Sequence, residues 1–151
     1  MIQRKMVRMS DDTLRTVEIE RLSLGRYRAT NVRGGTVTIG GRGDTEFTPV
    51  ELLLAALGGC GAADVDYITV KRAEPESFRV TVTGDKIRDD DGNRLTNLAV
   101  TFRITFSADA DAAREALPRA VAQSHDRLCT VSRTVQLGTP VDDRIASNDG
   151  S

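Results

Sequence analysis

The sequence has few of the residue types that usually identify a reactive or nucleic-acid-binding protein. Its 151 residues include no tryptophan, four phenylalanines, two tyrosines and one histidine. Aromatic side chains on which nucleic-acid bases could stack are therefore scarce. Cysteine is also rare, with two residues. The rare reactive side chains, and so the first candidates for functional residues, are those of Cys60, Cys129 and His125.

Excess charge of one sign is absent as well. The chain has 21 basic and 22 acidic residues and a formal net charge of −1, so no overall field attracts nucleic acid or an anionic membrane surface. No uninterrupted apolar run approaches the roughly 20 residues needed to cross a bilayer, and residues 1–5 lead into no apolar signal core. We therefore expect a cytoplasmic protein with no nucleic-acid or membrane partner.

The composition is typical of one folded domain. Hydrophobic residues make up 39% of the chain and charged residues 28%, and a chain of this length can bury about two-thirds of its unfolded surface. We predict a single domain over residues 1–151, with a core from about 14 to 141 and a frayed C-terminal tail.

The first third of the chain shows strand patterns separated by glycines. Apolar residues alternate imperfectly between Leu14 and Leu24, which predicts a half-buried strand. Short strands are predicted over 27–32 and 36–39, joined by tight turns in an antiparallel meander. A further short strand is predicted near residues 6–9. Gly40 to Asp44 is predicted to be a flexible turn, because it lacks the context of a phosphate-binding loop.

A strongly marked helix follows the strands. Thr48 is a good N-cap, Pro49 suits the first helical position, and Glu51 completes a Thr-x-x-Glu capping box. The helix is apolar almost all round, which predicts burial in the molecule or at a subunit contact. Three glycines surround Cys60, so we expect either a close backbone approach there or a break between helical segments that exposes the sulfur to unpaired N–H groups.

The second half of the chain repeats the order of strands followed by a helix. Alternating residues predict a long hairpin over 78–82 and 98–106, and helical spacing returns between Asp109 and Cys129. A last strand is predicted over 134–137. Strands, helix, strands and helix together predict an α+β fold with antiparallel sheets.

Two segments around the cysteines resemble those of a known protein family. Residues 48–60, Thr-Pro-Val-Glu-Leu-Leu-Leu-Ala-Ala-Leu-Gly-Gly-Cys, resemble the central helix of the OsmC/Ohr family, and residues 124–134 resemble its second cysteine segment. The resemblance implies an OsmC-like fold with two main helices, and an intertwined homodimer with active sites at the subunit boundary. It also implies thiol-dependent reduction of organic or inorganic hydroperoxides.

Carried over to this sequence, the resemblance implies that Cys60 is the peroxidatic cysteine and Cys129 the resolving cysteine. The Cys60 thiolate would attack the peroxide, and the resulting sulfenic acid would condense with Cys129 to a disulfide. An external dithiol would restore both thiols. These steps need no metal or organic cofactor, and two cysteines 69 positions apart match neither a Cys-x-x-Cys redox pair nor a four-ligand zinc site.

The family's carboxylate and arginine have less obvious counterparts. The best-known members have an acidic residue directly after the proline, whereas here Val50 occupies that position and the carboxylate is Glu51. Glu51 is thus either catalytic or only the capping-box residue. Arg28 and Arg33 are the candidate arginines, because the family supplies this residue from the same region. His125 is interpreted as a solvent-exposed residue. Asp64, four positions after Cys60, could face the cysteine, but a carboxylate there would disfavour a thiolate, so Asp64 and Asp66 are interpreted as residues at a polar edge.

A second function stays open. The same fold could serve as a non-catalytic module that binds a small hydrophobic ligand in the apolar groove around residues 52–57. The displaced Glu51 and the lack of an arginine motif favour it. A structural disulfide is disfavoured, because the sequence suggests no exported protein.

Overall fold

The structure is a computed structural model that describes residues 13–147. Its first three strands form an antiparallel meander. Strands β1 (Val17–Ser23), β2 (Arg26–Asn31) and β3 (Thr36–Ile39) pair in the order β1-β2-β3. Gly25 and Gly34 adopt positive φ in the two turns, a conformation that glycine reaches without strain. The meander is as predicted. The strand predicted near residues 6–9 and the last four residues of the expected tail lie outside the described residues.

Strand β1 is more exposed than its sequence pattern predicted. Every residue of β1 is exposed, although the alternating pattern predicted a half-buried strand. The prediction of half-burial is therefore wrong for the single chain. Apolar side chains of β1 such as Val17 and Ile19 are 60% and 62% exposed. Alternation in the sequence shows that a strand has an apolar face, but it does not show which surface covers that face.

Helix α1 (Pro49–Thr69) begins with the predicted capping box. The backbone N–H of Thr48 donates to Glu51 Oε1 at 3.1 Å, and the N–H of Glu51 donates to Thr48 Oγ1 at 3.2 Å. The helix has 21 residues and, by length and composition alone, could cross a membrane. The sequence has no uninterrupted apolar run of the roughly 20 residues that would cross a bilayer, but α1 as a whole is long and apolar enough to do so. A helix packed in a protein core can be equally long and apolar, so this is weak evidence for a membrane span.

A long antiparallel hairpin follows α1. Strands β4 (Ser77–Asp89) and β5 (Gly92–Thr105) pair in register, with Val80 opposite Phe102 and Val82 opposite Val100. These apolar pairs are half-buried, whereas the intervening residues, such as Arg79 and Thr101, are exposed. The hairpin thus has the predicted core side and wet side.

The C-terminal region differs from the prediction in two places. Helix α2 (Asp111–Gln123) contains Pro118 and leads into a π-helical turn, Ser124–Leu128, so the predicted helix ends before Cys129. The predicted strand at 134–137 is wrong, because helix α3 (Thr130–Gln136) includes residues 134–136 and Leu137 is its C-cap. Local capping overrides the strand preference of Thr134 and Val135. Thr134 Oγ1 instead donates to the Thr130 carbonyl one turn earlier, at 2.7 Å.

Two compact units make up the chain, residues 1–52 and 53–151. The first contains the meander and the start of α1. The second contains the rest of α1, the hairpin and the C-terminal helices, with a core that includes Leu57, Val65, Phe106, Ala113, Ala120 and Cys129. Antiparallel sheets and three α-helices in residues 13–147 confirm the predicted α+β class.

Candidate thiol site

Cys60 lies within the continuous helix α1 and is half-buried. The alternative of a helix break around Gly58, Gly59 and Gly61 is wrong, because α1 runs through all three glycines. In a continuous helix the backbone N–H groups bond to carbonyls four residues earlier. The Cys60 sulfur therefore does not lie at a helix break with unpaired backbone N–H groups.

The glycines instead permit the close backbone approach that was the other expectation. A Cβ atom on Gly58 would lie 2.5 Å from Val82 Cγ2, and one on Gly61 would lie 3.2 Å from Phe102 Cζ. A Cβ on Gly59 would meet nothing within 4 Å. Gly58 and Gly61 thus let the hairpin pack directly against the helix backbone beside Cys60.

Cys129 lies at the junction between the π-helical turn and α3. Its backbone is extended (φ −71°, ψ 101°), and it is the N-cap of α3, with Sγ accepting the Ser132 N–H at 3.3 Å. Gln136 Nε2 donates to Ser132 Oγ at 2.7 Å and to the His125 carbonyl at 3.2 Å, which ties α3 to the π-helical turn. Cys129 is only 1% exposed.

The fold brings the two cysteines together with one carboxylate. Cys60 Sγ, Cys129 Sγ and a carboxylate oxygen of Asp64 all lie within 4.8 Å of one another, and both thiols are free. A disulfide has an S–S bond of about 2 Å, so the sulfur atoms would have to approach each other by at most about 3 Å to form one. Cys60, Cys129 and Asp64 are referred to below as the thiol cluster.

The position of Asp64 corrects its interpretation as a surface residue at a polar edge. Asp64 follows Cys60 by one helical turn, and its Oδ2 accepts a hydrogen bond from Ser124 Oγ at 2.9 Å. Ser124 is 3% exposed. Repulsion between a carboxylate and a thiolate disfavoured this position of Asp64 in the sequence, but the buried hydroxyl that holds the carboxylate comes from a segment distant in the sequence. Asp66 is exposed, as predicted.

The environment of Cys129 favours its protonated form. Burial, and next the neighbouring Cys60 through a hydrogen bond and through its charge, raise the pKa of the Cys129 thiol to about 11. The Ser132 N–H opposes this shift, and the charge of Asp64 adds to it. Cys129 therefore remains a thiol at neutral pH, and a protonated thiol is a proton donor rather than a nucleophile.

An apolar cavity adjoins the Cys129 side of the cluster. It has a volume of about 220 Å³, and its lining includes Leu57, Val100, Phe102, Val121, Cys129 and Val135. His125 also lines the cavity, although it is exposed as predicted, and its Nδ1 lies 2.9 Å from Asp126 Oδ1. Of the predicted groove at residues 52–57, the cavity lining includes Leu57, and strand β5 and the C-terminal helices form most of the rest.

The other predicted site residues belong to the first unit. Arg28, on β2, has its Nη1 3.7 Å from Glu20 Oε2, and Arg33 is exposed in the turn before β3. Glu51 is exposed and caps α1, and its hydrogen bonds with Thr48 lower the pKa of the Glu51 carboxyl. Roles for Arg28, Arg33 and Glu51 beyond these contacts stay predictions.

Comparisons with known proteins agree with the resemblance seen in the sequence. A family model described as OsmC-like protein matches residues 41–142. An uncharacterized protein of Mycobacterium tuberculosis (strain ATCC 25618 / H37Rv) is 29% identical over 124 residues, which cover 82% of this chain and 90% of the relative.

Solved structures with this fold include two bacterial proteins of low sequence identity. An OsmC-like protein of unknown function from Vibrio cholerae has a TM-score of 0.70 at 14% identity, over 82% of this chain and 94% of that one. An organic hydroperoxide resistance protein from Legionella pneumophila has a TM-score of 0.58 at 17% identity, over 82% and 90%. At these identities the likeness is one of fold.

Proposed function

This chain belongs to the OsmC-like protein family, and from that premise we propose that it is a thiol-dependent hydroperoxide reductase. Members of the family are often hydroperoxide-detoxifying enzymes, and membership suggests a peroxiredoxin-like role. The observation that carries the specific proposal is the convergence of both thiols within 4.8 Å, from positions 69 residues apart in the sequence. Cys60 is half-buried and Cys129 is buried. This difference suits a Cys60 that reacts with the substrate and a Cys129 that then forms a disulfide with the oxidised Cys60.

The first step assigns different roles to the two cysteines. The Cys60 thiolate attacks the terminal oxygen of the hydroperoxide, the O–O bond breaks, and Cys60 becomes a sulfenic acid. The departing alkoxide takes a proton and leaves as an alcohol, or as water when the substrate is hydrogen peroxide. Cys129 is the donor we assign to this proton, because its raised pKa keeps it protonated until the leaving group needs it.

The second step uses the thiolate that this proton transfer leaves. Cys129 Sγ attacks the sulfenic sulfur of Cys60, the S–O bond breaks, and the hydroxide takes a proton to become water. The product is a Cys60–Cys129 disulfide. An external dithiol then reduces it, returning two protons and two electrons to the pair. A reducing compartment such as the cytoplasm would supply that reductant.

Two further parts of the proposal, the dimer and the arginine, rest on the family resemblance, and two, the cavity and Glu51, rest on the structure. The enzyme is a homodimer with each active site at the subunit boundary, and Arg28 or Arg33 stabilises the thiolate and the bound peroxide. The apolar cavity next to Cys129 suits the hydrocarbon part of a small organic hydroperoxide, since its volume lies below the roughly 300 Å³ where sites for drug-sized ligands begin. Glu51 acts as the cap of α1.

Rapid-mixing kinetics and intact mass together test the proposal. Reduced protein is mixed with one equivalent of cumene hydroperoxide or hydrogen peroxide, and the mass and free thiols are measured. We expect loss of two thiols with no added oxygen. Cys129→Ser should stop at Cys60 with one oxygen added, and Cys60→Ser should consume no peroxide. A wild-type rate no faster than that of Cys60→Ser would refute the proposal.

The cavity also favours a second candidate function, a non-catalytic module that binds a small hydrophobic ligand. Its lining is mostly apolar, and it adjoins Cys129 rather than Cys60. An apolar molecule that copurifies with the protein, together with two thiols that do not react with peroxide, would favour this function. Ready formation of the Cys60–Cys129 disulfide would count against it.

A further inference from the structure

We propose that the reduced thiol cluster binds a zinc ion through Cys60 Sγ, Cys129 Sγ and an oxygen of Asp64. The spacing of the cysteines in the sequence predicted no metal site, because the third ligand and the closeness of the sulfurs arise only in the fold. The zinc site uses the same thiols as the peroxide chemistry, but it does not require that the protein reduce peroxides.

The distances in the cluster suit zinc. Zinc bonds to sulfur at about 2.3 Å and to carboxylate oxygen at about 2.0–2.2 Å, so tetrahedral ligand atoms lie roughly 3.5–3.8 Å apart. The three atoms of the cluster already lie within 4.8 Å of one another. Side-chain movements of about 1 Å would therefore complete three corners of a tetrahedron.

The donor atoms select a thiophilic metal. Calcium and magnesium take oxygen ligands, whereas two thiolates with one carboxylate form a set that zinc accepts. Three protein ligands leave the fourth position to water. Zinc binds thiolates, so its binding would release the Cys129 proton to solvent, and the divalent ion would then offset most of the negative charge of the two thiolates and the carboxylate.

A buried hydroxyl already orients the carboxylate ligand. Ser124 Oγ donates to Asp64 Oδ2 at 2.9 Å, and metal-binding carboxylates are usually held by such a second hydrogen bond. Asp64 and Cys60 are half-buried, so an ion can enter from their side, while Cys129 is 1% exposed and forms the inner wall. The site is thus oriented and accessible from one side.

Zinc binding and disulfide formation exclude each other. Both require the two sulfurs, and a disulfide bond of about 2 Å leaves no thiolate to coordinate a metal. Zinc would therefore occupy the reduced protein and leave the oxidised one. While bound, it would shield both thiols from alkylation.

The test measures metal binding to the reduced full chain under nitrogen. Zinc is titrated against a chromophoric chelator, and cobalt replaces zinc to show thiolate coordination by its near-ultraviolet absorption. The variants are Cys60→Ser, Cys129→Ser and Asp64→Asn. Asp66→Asn, an exposed carboxylate two residues further along α1, is the matched control. Circular dichroism and thermal unfolding establish that each variant is folded.

The expected result is one zinc per chain with a cobalt–thiolate band, and no measurable binding after oxidation to the disulfide. Each cysteine variant should lose the band. Asp64→Asn should bind at least about tenfold more weakly, since even outer-shell partners contribute that much, and Asp66→Asn should match the wild type. Binding that Asp64→Asn leaves unchanged, or that survives oxidation, would overturn the proposal. So would wild-type thiols that zinc does not protect from alkylation.

Discussion

At the scale of single residues, the two cysteines show how position creates chemical difference from identical side chains. Cys60 lies mid-helix and is half-buried, whereas Cys129 caps a short helix in the interior. Burial is the largest cause of the raised Cys129 pKa, and the hydrogen bond with Cys60 is the next. A proton held on Cys129 suits a residue that acts second, after Cys60 has been oxidised.

Glu51 is the residue whose role a single substitution can decide. Glutamine retains an oxygen that can accept the Thr48 N–H, so Glu51→Gln keeps the capping box while it removes the negative charge. We expect Glu51→Gln to lower the melting temperature only slightly, because the lowered pKa of Glu51 means that the folded state favours the charged carboxylate, and to keep the wild-type rate of peroxide consumption, measured by rapid mixing. Thr48→Ala, which breaks the cap and leaves the carboxylate, should lower the melting temperature. A large loss of rate in folded Glu51→Gln would assign catalysis to the carboxylate.

At the scale of elements, the glycines of α1 control how closely the hairpin approaches the thiol cluster. Gly58 and Gly61 face Val82 and Phe102, and Gly59 faces open space in the single chain. Each glycine costs helix stability of up to about 1 kcal/mol relative to alanine. That cost is offset where the missing side chain allows two elements to touch.

Alanine substitutions at neighbouring glycines should have opposite effects. In Gly58→Ala the new Cβ would lie 2.5 Å from Val82 Cγ2, so we expect a loss of about 1–3 kcal/mol in the free energy of unfolding. Gly59→Ala meets no atom within 4 Å and should be neutral or gain up to about 1 kcal/mol. Urea denaturation measures both. Equal destabilisation by the two variants would contradict this account of the helix packing.

At the scale of the whole molecule, the apolar face of β1 is exposed in the single chain, which indicates that another protein surface packs against it. Val17 and Ile19 point to one side of the strand, since they are two residues apart, and both are more than half exposed. Exposed apolar side chains gathered on one strand often mark an interaction site. The homodimer implied by the family resemblance is the covering that we propose.

Light scattering after gel filtration tests the dimer. We expect a mass of twice 16.4 kDa at micromolar concentration. Ile19→Lys should shift the protein toward monomer, because it places a charge on the apolar face. Glu18→Lys, on the opposite face of β1, is the control and should leave the mass unchanged. A wild-type mass of one chain at all concentrations would refute the proposed dimer.

Local pattern was enough to predict most elements of this protein. The capping box at Thr48 and Glu51, the meander and the long hairpin follow from interactions between residues close in sequence, and such interactions can be identified without knowing the fold. Prediction was wrong at α3, where the strand preference of individual residues yields to a cap at Cys129. At the glycines of α1 the sequence left two alternatives open, and contact with the hairpin distinguishes the close backbone approach from the helix break.

The sequence by itself determined the family, the α+β class and the two cysteines as the groups of interest. Only the tertiary structure decided that Asp64 joins them, that Cys129 is buried with a raised pKa, and that a cavity adjoins it. Distances between residues 60, 64 and 129 depend on how α1 packs against the C-terminal segment. Packing of that kind sums many weak contacts between distant residues, and no local pattern in the sequence encodes it.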